Sequence, residues 1–300
     1  MKVRQNECGG PDEMLIDAHV HCVPSSVKHD FLHKGIQAIF REFAPEEMKE
    51  PLDSLLFDMD RAGVDCSIVV LSGGLDVFSK YAERNPNRLY AACVYDSREP
   101  REGLRKLKRA VGAHPHLVKS VKTIFPYLGQ HPMQKEFSPM YRYCSDRKLP
   151  VQFHMGGDAR MEEVSDLLYF SKLASQFPDL KIVCLHAGGG NAGRMPLLTE
   201  MWSNVFVELE GLQLHEAEGS RDPGVMRYLL EKIGSSRLMF GSDRIFAEDK
   251  YFDRVNAVKS LAPAHAENVG WKTANRVFRL GLGAKTVGKM KERAESAAGT

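Results

Sequence analysis

The sequence predicts an α/β protein that folds as a distorted (β/α)8 TIM barrel. Eight short apolar runs, enriched in β-branched and aromatic residues, alternate along the chain with segments of helical periodicity or composition. Four of these runs end in a histidine or an aspartate, as parallel strands do when they deliver polar side chains to one shared edge. A length of 300 residues suits a single barrel of this type.

The predicted strands are apolar runs with few polar interruptions. They lie at residues 14–21, 65–72, 88–95, 117–124, 150–154, 181–186, 204–210 and 237–243. Near-continuous apolar character is typical of strands buried on both faces. On the seventh run, the alternation places Val205, Val207 and Leu209 toward the helices and turns Glu208 and Glu210 toward the barrel interior.

The predicted helices occupy most of the intervals between the strands. They lie at residues 52–63, 99–112, 135–148, 161–177, 193–203, 223–234, 250–261 and 264–281. Strands that alternate with helices of this length form βαβ units, and eight such units close into a barrel.

We expect one domain, the barrel itself, over residues 14–284. Residues 1–13 are expected to form a polar N-terminal extension, and residues 285–300 a charged C-terminal tail without an apolar stripe. The longest connection, residues 22–51, contains proline and phenylalanine residues. We expect it to cap the mouth of the barrel, where substrates bind.

Composition and charge exclude several kinds of partner. The net charge is +2 with both signs interspersed, so neither nucleic acid nor a membrane is an expected partner. The start of the chain lacks the apolar core of a signal peptide, and the six cysteines form no CxxC pair. We therefore expect a cytoplasmic protein that acts on a small-molecule substrate. A homo-oligomer is compatible with the sequence.

The first strand carries an HxH motif. Because successive side chains on a strand face opposite ways, His19 and His21 are expected to share one face, together with Asp17. The motif alone is weak, since His114 and His116 have the same spacing in a segment broken by proline. Its value comes from the strand context and from the later histidines and aspartate.

Four polar side chains are expected at the carboxyl ends of predicted strands, the edge that forms the active-site face of such a barrel. They are His21, His154, His186 and Asp243. Neutral imidazoles with a carboxylate suit zinc, and the same set accepts manganese, iron or cobalt. The sequence thus predicts one divalent metal ion, zinc being the first expectation. Taken singly, each residue also has an ordinary structural role, such as capping a helix.

The order of these motifs resembles the amidohydrolase superfamily, and more narrowly its amidohydrolase-2 branch, which includes the aminocarboxymuconate semialdehyde decarboxylase group. The resemblance extends over residues 14–282. It rests on Asp17-x-His19-x-His21, His154, His186 and Phe240-Gly241-Ser242-Asp243, with further matches at Met59–Asp65, Leu149-Pro150-Val151, His186–Gly189 and Ala274-Asn275-Arg276.

The resemblance implies a mononuclear site with His19, His21, His154 and Asp243 as metal ligands. It places His186 beside the metal-bound water or the substrate, where it acts as an acid or base; a fifth ligand or a hydrogen-bonding partner is the alternative. Asp243 is the second candidate for moving protons, because a divalent ion lowers the pKa of its bound water to roughly 7.

Four further residues are expected to contact the substrate. Arg194 follows the glycine-rich loop after His186, and Arg244 follows Asp243 directly. Lys122 on the fourth strand is expected to bind an anionic group of the substrate or to pack within the barrel wall. In binuclear members of the superfamily a carboxylated lysine at this strand bridges two metals, but the branch resembled is mononuclear. Glu210 is expected to enter the pocket, where it moves protons, orients a histidine or pairs with Arg244.

The first functional expectation is hydrolysis of a small, anionic lactone, amide or related carbonyl compound by a metal-activated water. The alternative is non-oxidative decarboxylation, or hydration, of an aromatic or unsaturated carboxylic acid at the same site. Arg244 stands where comparable decarboxylases carry an aromatic residue, which favours hydrolysis. A barrel that only binds a ligand is the third hypothesis, and some similar lactonases act without a metal.

Overall fold

The computed structural model of the chain describes residues 14–30, 43–210, 224–246 and 250–283. Eight parallel strands in these residues form one sheet, each strand beside the next in the sequence. They are β1 Ile16–His21, β2 Cys66–Leu71, β3 Leu89–Val94, β4 Val118–Thr123, β5 Val151–Phe153, β6 Ile182–Cys184, β7 Val205–Glu208 and β8 Leu238–Met239.

Backbone hydrogen bonds join the first strand to the last and close the barrel. The Ala18 amide donates to the Phe240 carbonyl over 3.0 Å, and the Asp243 amide donates to the His19 carbonyl over 2.8 Å. The residues that follow β8 thus pair with β1, so the two ends of the sheet meet and the barrel is nearly closed. The predicted (β/α)8 barrel is confirmed.

Helices cover the outside of the barrel between the strands. They are α1 Lys49–Ala62, α2 Leu75–Arg84, α3 Pro100–Ala113, α4 Ser138–Arg147, α5 Ala159–Val164, α6 Leu167–Gln176, α7 Met195–Met201, α8 Val225–Ile233, α9 Lys250–Lys259, α10 Pro263–Glu267 and α11 Thr273–Phe278. Short 3-10 segments lie at Ser25–Val27, Pro45–Met48, Phe125–Leu128, Lys135–Phe137, His186–Arg194 and Ser235–Arg237, and a π-helical turn lies at Asn268–Lys272.

Two helical predictions differ from the structure. The first difference is α2, which is absent from the helices predicted from the sequence, although its apolar positions recur at helical spacing. The helix is short and begins after Gly74, which has a left-handed φ of 69°. The helix predicted over 161–177 is two helices, because the Asp166 carboxylate accepts the Leu168 amide over 2.7 Å and starts a new helix.

The apolar residues form two layers. The first lies between strands and helices and contains alternate strand residues such as Val205 and Val207 with helix residues such as Leu229. The second lies inside the barrel and contains the other strand positions, among them Val183 and Phe206. The predicted alternation on the seventh strand is therefore confirmed, and it directs Glu208 and Glu210 inward.

An extra residue in β1 changes which side chains share a face. Asp17 pairs with Ser67, but Val20 pairs with Val69, so β1 has one residue more than β2 between these positions. A bulge of this kind reverses the facing of the side chains on either side of it. The expectation that Asp17 shares a face with His19 and His21 is therefore wrong: its carboxylate accepts the backbone amide and the hydroxyl of Ser242 instead.

Several expectations fall wholly or partly outside the described residues. These are the N-terminal extension 1–13, the tail 285–300 and residues 31–42 of the predicted cap, so the domain boundaries stay predictions. Among the helices that the structure describes, none has the length and apolar character needed to cross a membrane. The described cysteines, Cys22, Cys66, Cys93, Cys144 and Cys184, are buried free thiols.

Candidate metal centre

The candidate site is built at the carboxyl ends of four strands. β1 supplies His19 and His21, while His154 follows β5, His186 lies two residues beyond β6 and Asp243 lies beyond β8. The carboxyl ends of parallel strands meet at one rim of a barrel, so residues distant in the sequence come together there.

His19, His21 and Asp243 form the tightest group at this rim. Oδ1 of Asp243 lies 3.2 Å from Nε2 of His19 and 3.1 Å from Nε2 of His21. The three donor atoms all lie within 4.8 Å of one another. Both histidines are buried, and Asp243 keeps partial access to the mouth of the barrel.

The local electrostatics keep these groups in the protonation states of metal ligands. Burial lowers the pKa of His19 well below its usual value, with a further contribution from the Lys122 ammonium, and burial also lowers the pKa of His21. Burial alone would raise the pKa of Asp243, but His19 and His21 hold it well below its usual value. Neutral imidazoles beside an ionised carboxylate are the forms that bind a cation.

The geometry of the group fits one divalent ion. Two ligands held about 2.1 Å from a tetrahedral ion are about 3.4 Å apart, close to the observed spacings of 3.1 and 3.2 Å. Nδ1 of His19 is buried without a hydrogen-bond partner among the described residues, and Oε2 of Glu208 lies 3.8 Å away. A ligand histidine usually turns its second nitrogen to such a carboxylate.

His186 connects His154 to Glu210. Its Nδ1 lies 2.5 Å from Oε2 of Glu210, and its Nε2 lies 3.0 Å from Nδ1 of His154. The His154 ring thus faces His186, and among the described residues its nitrogens are not part of any group of three or more donor atoms within 4.8 Å of one another. His186 also has a nitrogen within 4.8 Å of donor atoms of Glu210 and Asp243, so the alternative of a ligand role stays open for it.

Glu208 is a further site residue. Alternation along the seventh strand predicts that it faces the barrel interior, but the sequence does not indicate its role. Its carboxylate accepts the backbone amides of His186 over 3.0 Å and of Glu210 over 2.6 Å. Burial raises its pKa well above the usual value, and the Glu210 carboxylate raises it further. Glu208 therefore holds the backbone of both members of the His186–Glu210 pair.

Two candidate catalytic residues have strained backbone conformations. His186 has a φ of 55° and Asp243 a φ of 49°, both in the left-handed region that residues with a Cβ rarely adopt. Such conformations persist only where the surrounding structure imposes them, and they concentrate at functional sites. Here the hydrogen bonds to Glu208 and across β1 supply that constraint.

Lys122 enters the same site from β4. Its Nζ lies 3.0 Å from Nε2 of His19, in a fully buried position. Burial lowers its pKa to about 8, an effect that Asp243 and Glu208 partly oppose. A buried cation beside the candidate ligands is suited to receive an anionic group of a substrate.

Two more residues lie at this rim that no sequence pattern marks as site residues. The ring of Tyr127 lies 4.6 Å from that of His154, and burial, aided by Asp243 and Glu210, raises its pKa to about 12, which keeps the phenol protonated. Arg254 on α9 places Nη2 3.5 Å from Oε1 of Glu210 and donates to the Ser242 carbonyl. Neither residue stands at the end of an apolar run, so no local pattern marks it.

The structure corrects the expected role of Arg244. Its guanidinium is buried and lies against α1, with Nε donating to Asp58 over 2.8 Å and Nη2 to Ser54 over 2.8 Å. The left-handed conformation of Asp243 redirects the chain, so the next side chain leaves the rim. Arg244 therefore anchors a helix and is not placed to bind the substrate, and Glu210 pairs with Arg254 rather than with Arg244.

Arg194 and the glycine-rich loop also differ from expectation. Arg194 is 58% exposed and pairs with Asp166 over 3.5 Å, at the start of α6. The amide of Gly190 donates to Glu162 over 2.9 Å, and a Cβ on Gly189 would lie 2.3 Å from Cα of Gly156. The glycines thus permit two loops to touch through their backbones, and Arg194 lies on the surface.

A closed parallel barrel with histidines and an aspartate at its carboxyl rim defines a class of metal-dependent barrel enzymes. A sequence model described as amidohydrolase matches residues 16–280, nearly the whole of the described barrel. The chain belongs to the amidohydrolase family and is an enzyme of that superfamily, as the resemblance indicated. No curated protein sequence matches it significantly.

Solved structures with the same fold include two decarboxylases and a hydratase. The 5-carboxyvanillate decarboxylase of Sphingomonas paucimobilis is 16% identical, with a TM-score of 0.64 over 89% of this chain and 99% of that chain. A dihydroxybenzoic acid decarboxylase from a Polaromonas species, with bound manganese and 2-nitroresorcinol, is 13% identical with a TM-score of 0.66 over 90% and 98%. The 4-oxalomesaconate hydratase of Rhodopseudomonas palustris is 18% identical with a TM-score of 0.64 over 93% and 100%.

Proposed function

We propose that the protein is a metal-dependent carboxy-lyase that removes CO2, without oxidation, from an aromatic or unsaturated carboxylic acid. The observation that carries the proposal is Lys122, a buried cation whose Nζ lies 3.0 Å from a candidate metal ligand. A buried cation is stabilised by negative neighbours, and a substrate carboxylate would add one to the carboxylates of Asp243 and Glu208. Decarboxylases and a hydratase that share the fold support the same substrate class.

In this proposal His19, His21, His154 and Asp243 hold the ion, and the ion supplies a Lewis acid for the oxygen atoms of the substrate. His154 reaches the ion by turning its ring away from His186, from which it is 3.0 Å distant in the structure. Zinc is expected from the donor set, and manganese is the ion bound in one of the related decarboxylases.

His186 transfers the proton in this proposal. Glu210 accepts a hydrogen bond from its Nδ1, so its Nε2 faces the site. As the bond between the ring or alkene carbon and the carboxyl carbon breaks, CO2 leaves and its bonding electron pair stays on the substrate carbon. A proton held on Nε2 of His186 then forms the new C–H bond, and solvent restores the proton.

Hydration and hydrolysis are the competing reactions at this site. The preference for hydrolysis rested on Arg244 standing where comparable decarboxylases carry an aromatic residue. That side chain pairs with Asp58, so it is not a cation beside the substrate under either mechanism. The His186–Glu210 pair can also move protons to and from water, so a hydratase, or a hydrolase of lactones and amides, would use the same residues.

The test is a substrate panel with the purified protein loaded separately with zinc or manganese. The panel contains hydroxybenzoic acids, unsaturated dicarboxylic and oxo acids, lactones and amides. We expect release of CO2 from at least one aromatic or unsaturated acid, lost on chelation, and a raised KM in Lys122→Met. Turnover of a lactone or amide without turnover of any acid would refute the carboxy-lyase proposal.

A further inference from the structure

A second polar cavity lies at the opposite end of the barrel from the candidate metal centre. It has a volume of about 650 Å³ and is lined by Ser145, Asp146, Lys148, Asp179, Lys181, Arg276 and Arg279. Lys181 directly precedes β6, and Lys148 lies three residues before the start of β5, so the cavity lies at the amino ends of these strands. Its size is within the range of small-molecule sites, about 300–1,000 Å³.

The lining of this cavity carries more positive than negative charge. Four cations face two carboxylates, and none of the four forms an ion pair with the part of the chain that the structure describes. Their hydrogen bonds go to backbone carbonyls instead: Nζ of Lys181 donates to Arg276 over 3.3 Å, and Arg276 donates to Ser236. The four cations therefore outnumber the two carboxylates, Asp146 and Asp179, and leave the lining with a net positive charge.

Two further cations interact with arginines of the cavity lining: Lys119 with Arg279, and Arg237 with Arg276. Lys119 lies 5.5 Å above the ring of Tyr90, while Arg237 and Arg276 lie 6.0 and 5.9 Å from the ring of Phe206. Burial lowers the pKa of Lys119, and the charge of Arg279 lowers it further. Burial also lowers the pKa of Lys181, with further contributions from the charges of Arg276 and Arg279. Mutual repulsion of this kind is relieved by a bound anion.

We propose that this cavity binds a small molecule bearing phosphate groups. Arginine forks bind phosphate oxygens in pairs, and lysines add point charges, which matches a site made of both. The concave shape, and Asp146 and Asp179 on its lining, favour a compact anion over an extended nucleic-acid backbone, as does the net charge of only +2. The site is independent of the metal centre and of the proposed reaction.

Calorimetric titration of the metal-loaded protein with inorganic phosphate, pyrophosphate and ATP at 150 mM NaCl tests the proposal. We expect saturable binding of one molecule of pyrophosphate or ATP per chain, at least about tenfold weaker in Arg276→Gln/Arg279→Gln, as loss of charge-assisted hydrogen bonds predicts. Tighter binding of ATP than of pyrophosphate would identify a nucleotide, and equal binding would identify the phosphate groups alone.

The matched control removes two positive charges elsewhere, in Lys80→Gln/Lys172→Gln, whose side chains are exposed on α2 and α6. This variant should bind pyrophosphate as the unmodified protein does. If the arginine variant does not fold, Lys148→Gln and Lys181→Gln replace it in the same titration. Absence of saturable binding, equal affinity in the arginine and control variants, or tighter binding of a short RNA duplex than of either small probe would overturn the proposal.

Discussion

Oε2 of Glu210 lies 2.5 Å from Nδ1 of His186, close enough for a strong hydrogen bond. The carboxylate accepts a hydrogen bond from Nδ1–H, which fixes the tautomer and leaves Nε2 directed toward the site. Glu210 is itself held by its backbone amide, which donates to Glu208, and by Arg254. A histidine oriented in this way is prepared to carry a proton.

Replacing Glu210 tests this arrangement. In Glu210→Gln the amide accepts the same hydrogen bond but carries no charge, so we expect about a 10- to 100-fold loss of kcat with metal content unchanged. His186→Ala should lose more, roughly 10²- to 10⁴-fold, and also keep its metal. Loss of metal from His186→Ala would instead make His186 a ligand. Both quantities are measured on the same preparations, by steady-state kinetics and elemental analysis.

The metal-ligand proposal is tested by metal content alone. Asp243→Ala removes the carboxylate that lies 3.2 and 3.1 Å from the two histidines of β1, and His154→Ala removes the expected fourth ligand. We expect each variant to lose the metal or bind it far more weakly. The control is His116→Ala, an exposed member of the other HxH motif. Full metal occupancy in both site variants would disprove the ligand set.

The sequence allowed the barrel and the main site residues to be predicted because both follow from local patterns. Continuous apolar runs indicated buried strands, and the polar residues at their ends indicated the rim. The inward direction of Glu208 and Glu210 also followed from alternation. Alternation does not predict that Glu208 bonds the backbone of His186 or that Glu210 bonds its ring, because those contacts depend on how β6 and β7 lie beside each other.

Proximity in sequence was misleading for the arginines. Arg244 directly follows Asp243, yet a left-handed backbone turns it toward α1, whereas Arg254 reaches Glu210 from a helix. The β1 bulge likewise reversed the facing of Asp17. Alternation and adjacency assume a regular backbone, so they fail at the irregular residues that shape a site.

Arg244 should contribute to stability rather than to substrate binding. Asp58→Ala would leave its guanidinium buried without a counter-charge, at a cost of about 3–5 kcal/mol in the free energy of unfolding. Asp60→Ala on the same helix breaks an ion pair to Arg88 in which Asp60 is 57% exposed, so its cost should stay below about 1 kcal/mol. Urea unfolding measures both. A large rise in KM for Asp58→Ala without loss of stability would contradict this role.

The contact between the loops after β5 and β6 requires glycine at residue 189. Gly189 has a φ of 59°, and a Cβ there would lie 2.3 Å from Cα of Gly156. Gly189→Ala should therefore lower the melting temperature and, by displacing the loop that begins at His186, reduce turnover. Gly193→Ala is the control, because a Cβ there meets nothing within 4 Å. Equal melting temperatures for the two variants would show that the loops separate without cost.

Asp17 should make stability depend on pH. Burial raises its pKa from 3.8 to about 6, although the hydrogen bonds from Ser242 oppose the shift. The folded state thus binds this proton more tightly than the unfolded state, so the contribution of Asp17 to the free energy of unfolding falls as pH rises from about 4 to 6. It stays constant above that range. A shift of about two pKa units corresponds to about 3 kcal/mol.

Asp17→Asn removes this titration while keeping the partners. In the unmodified protein the Asp17 carboxylate accepts the Ser242 backbone N–H over 2.9 Å and the Ser242 hydroxyl over 2.6 Å. In the variant the side-chain oxygen of the asparagine can accept the same N–H, and its side-chain nitrogen can donate to the hydroxyl. The stability of Asp17→Asn relative to the unmodified protein should therefore increase between pH 4 and 6, in urea unfolding with a chelator present to exclude metal binding. Asp17→Ala, which leaves Ser242 unsatisfied, should be less stable than Asp17→Asn at every pH. A difference between Asp17→Asn and the unmodified protein that does not change with pH would mean that the pKa of Asp17 is the same in the folded and unfolded states, and so is not raised by burial.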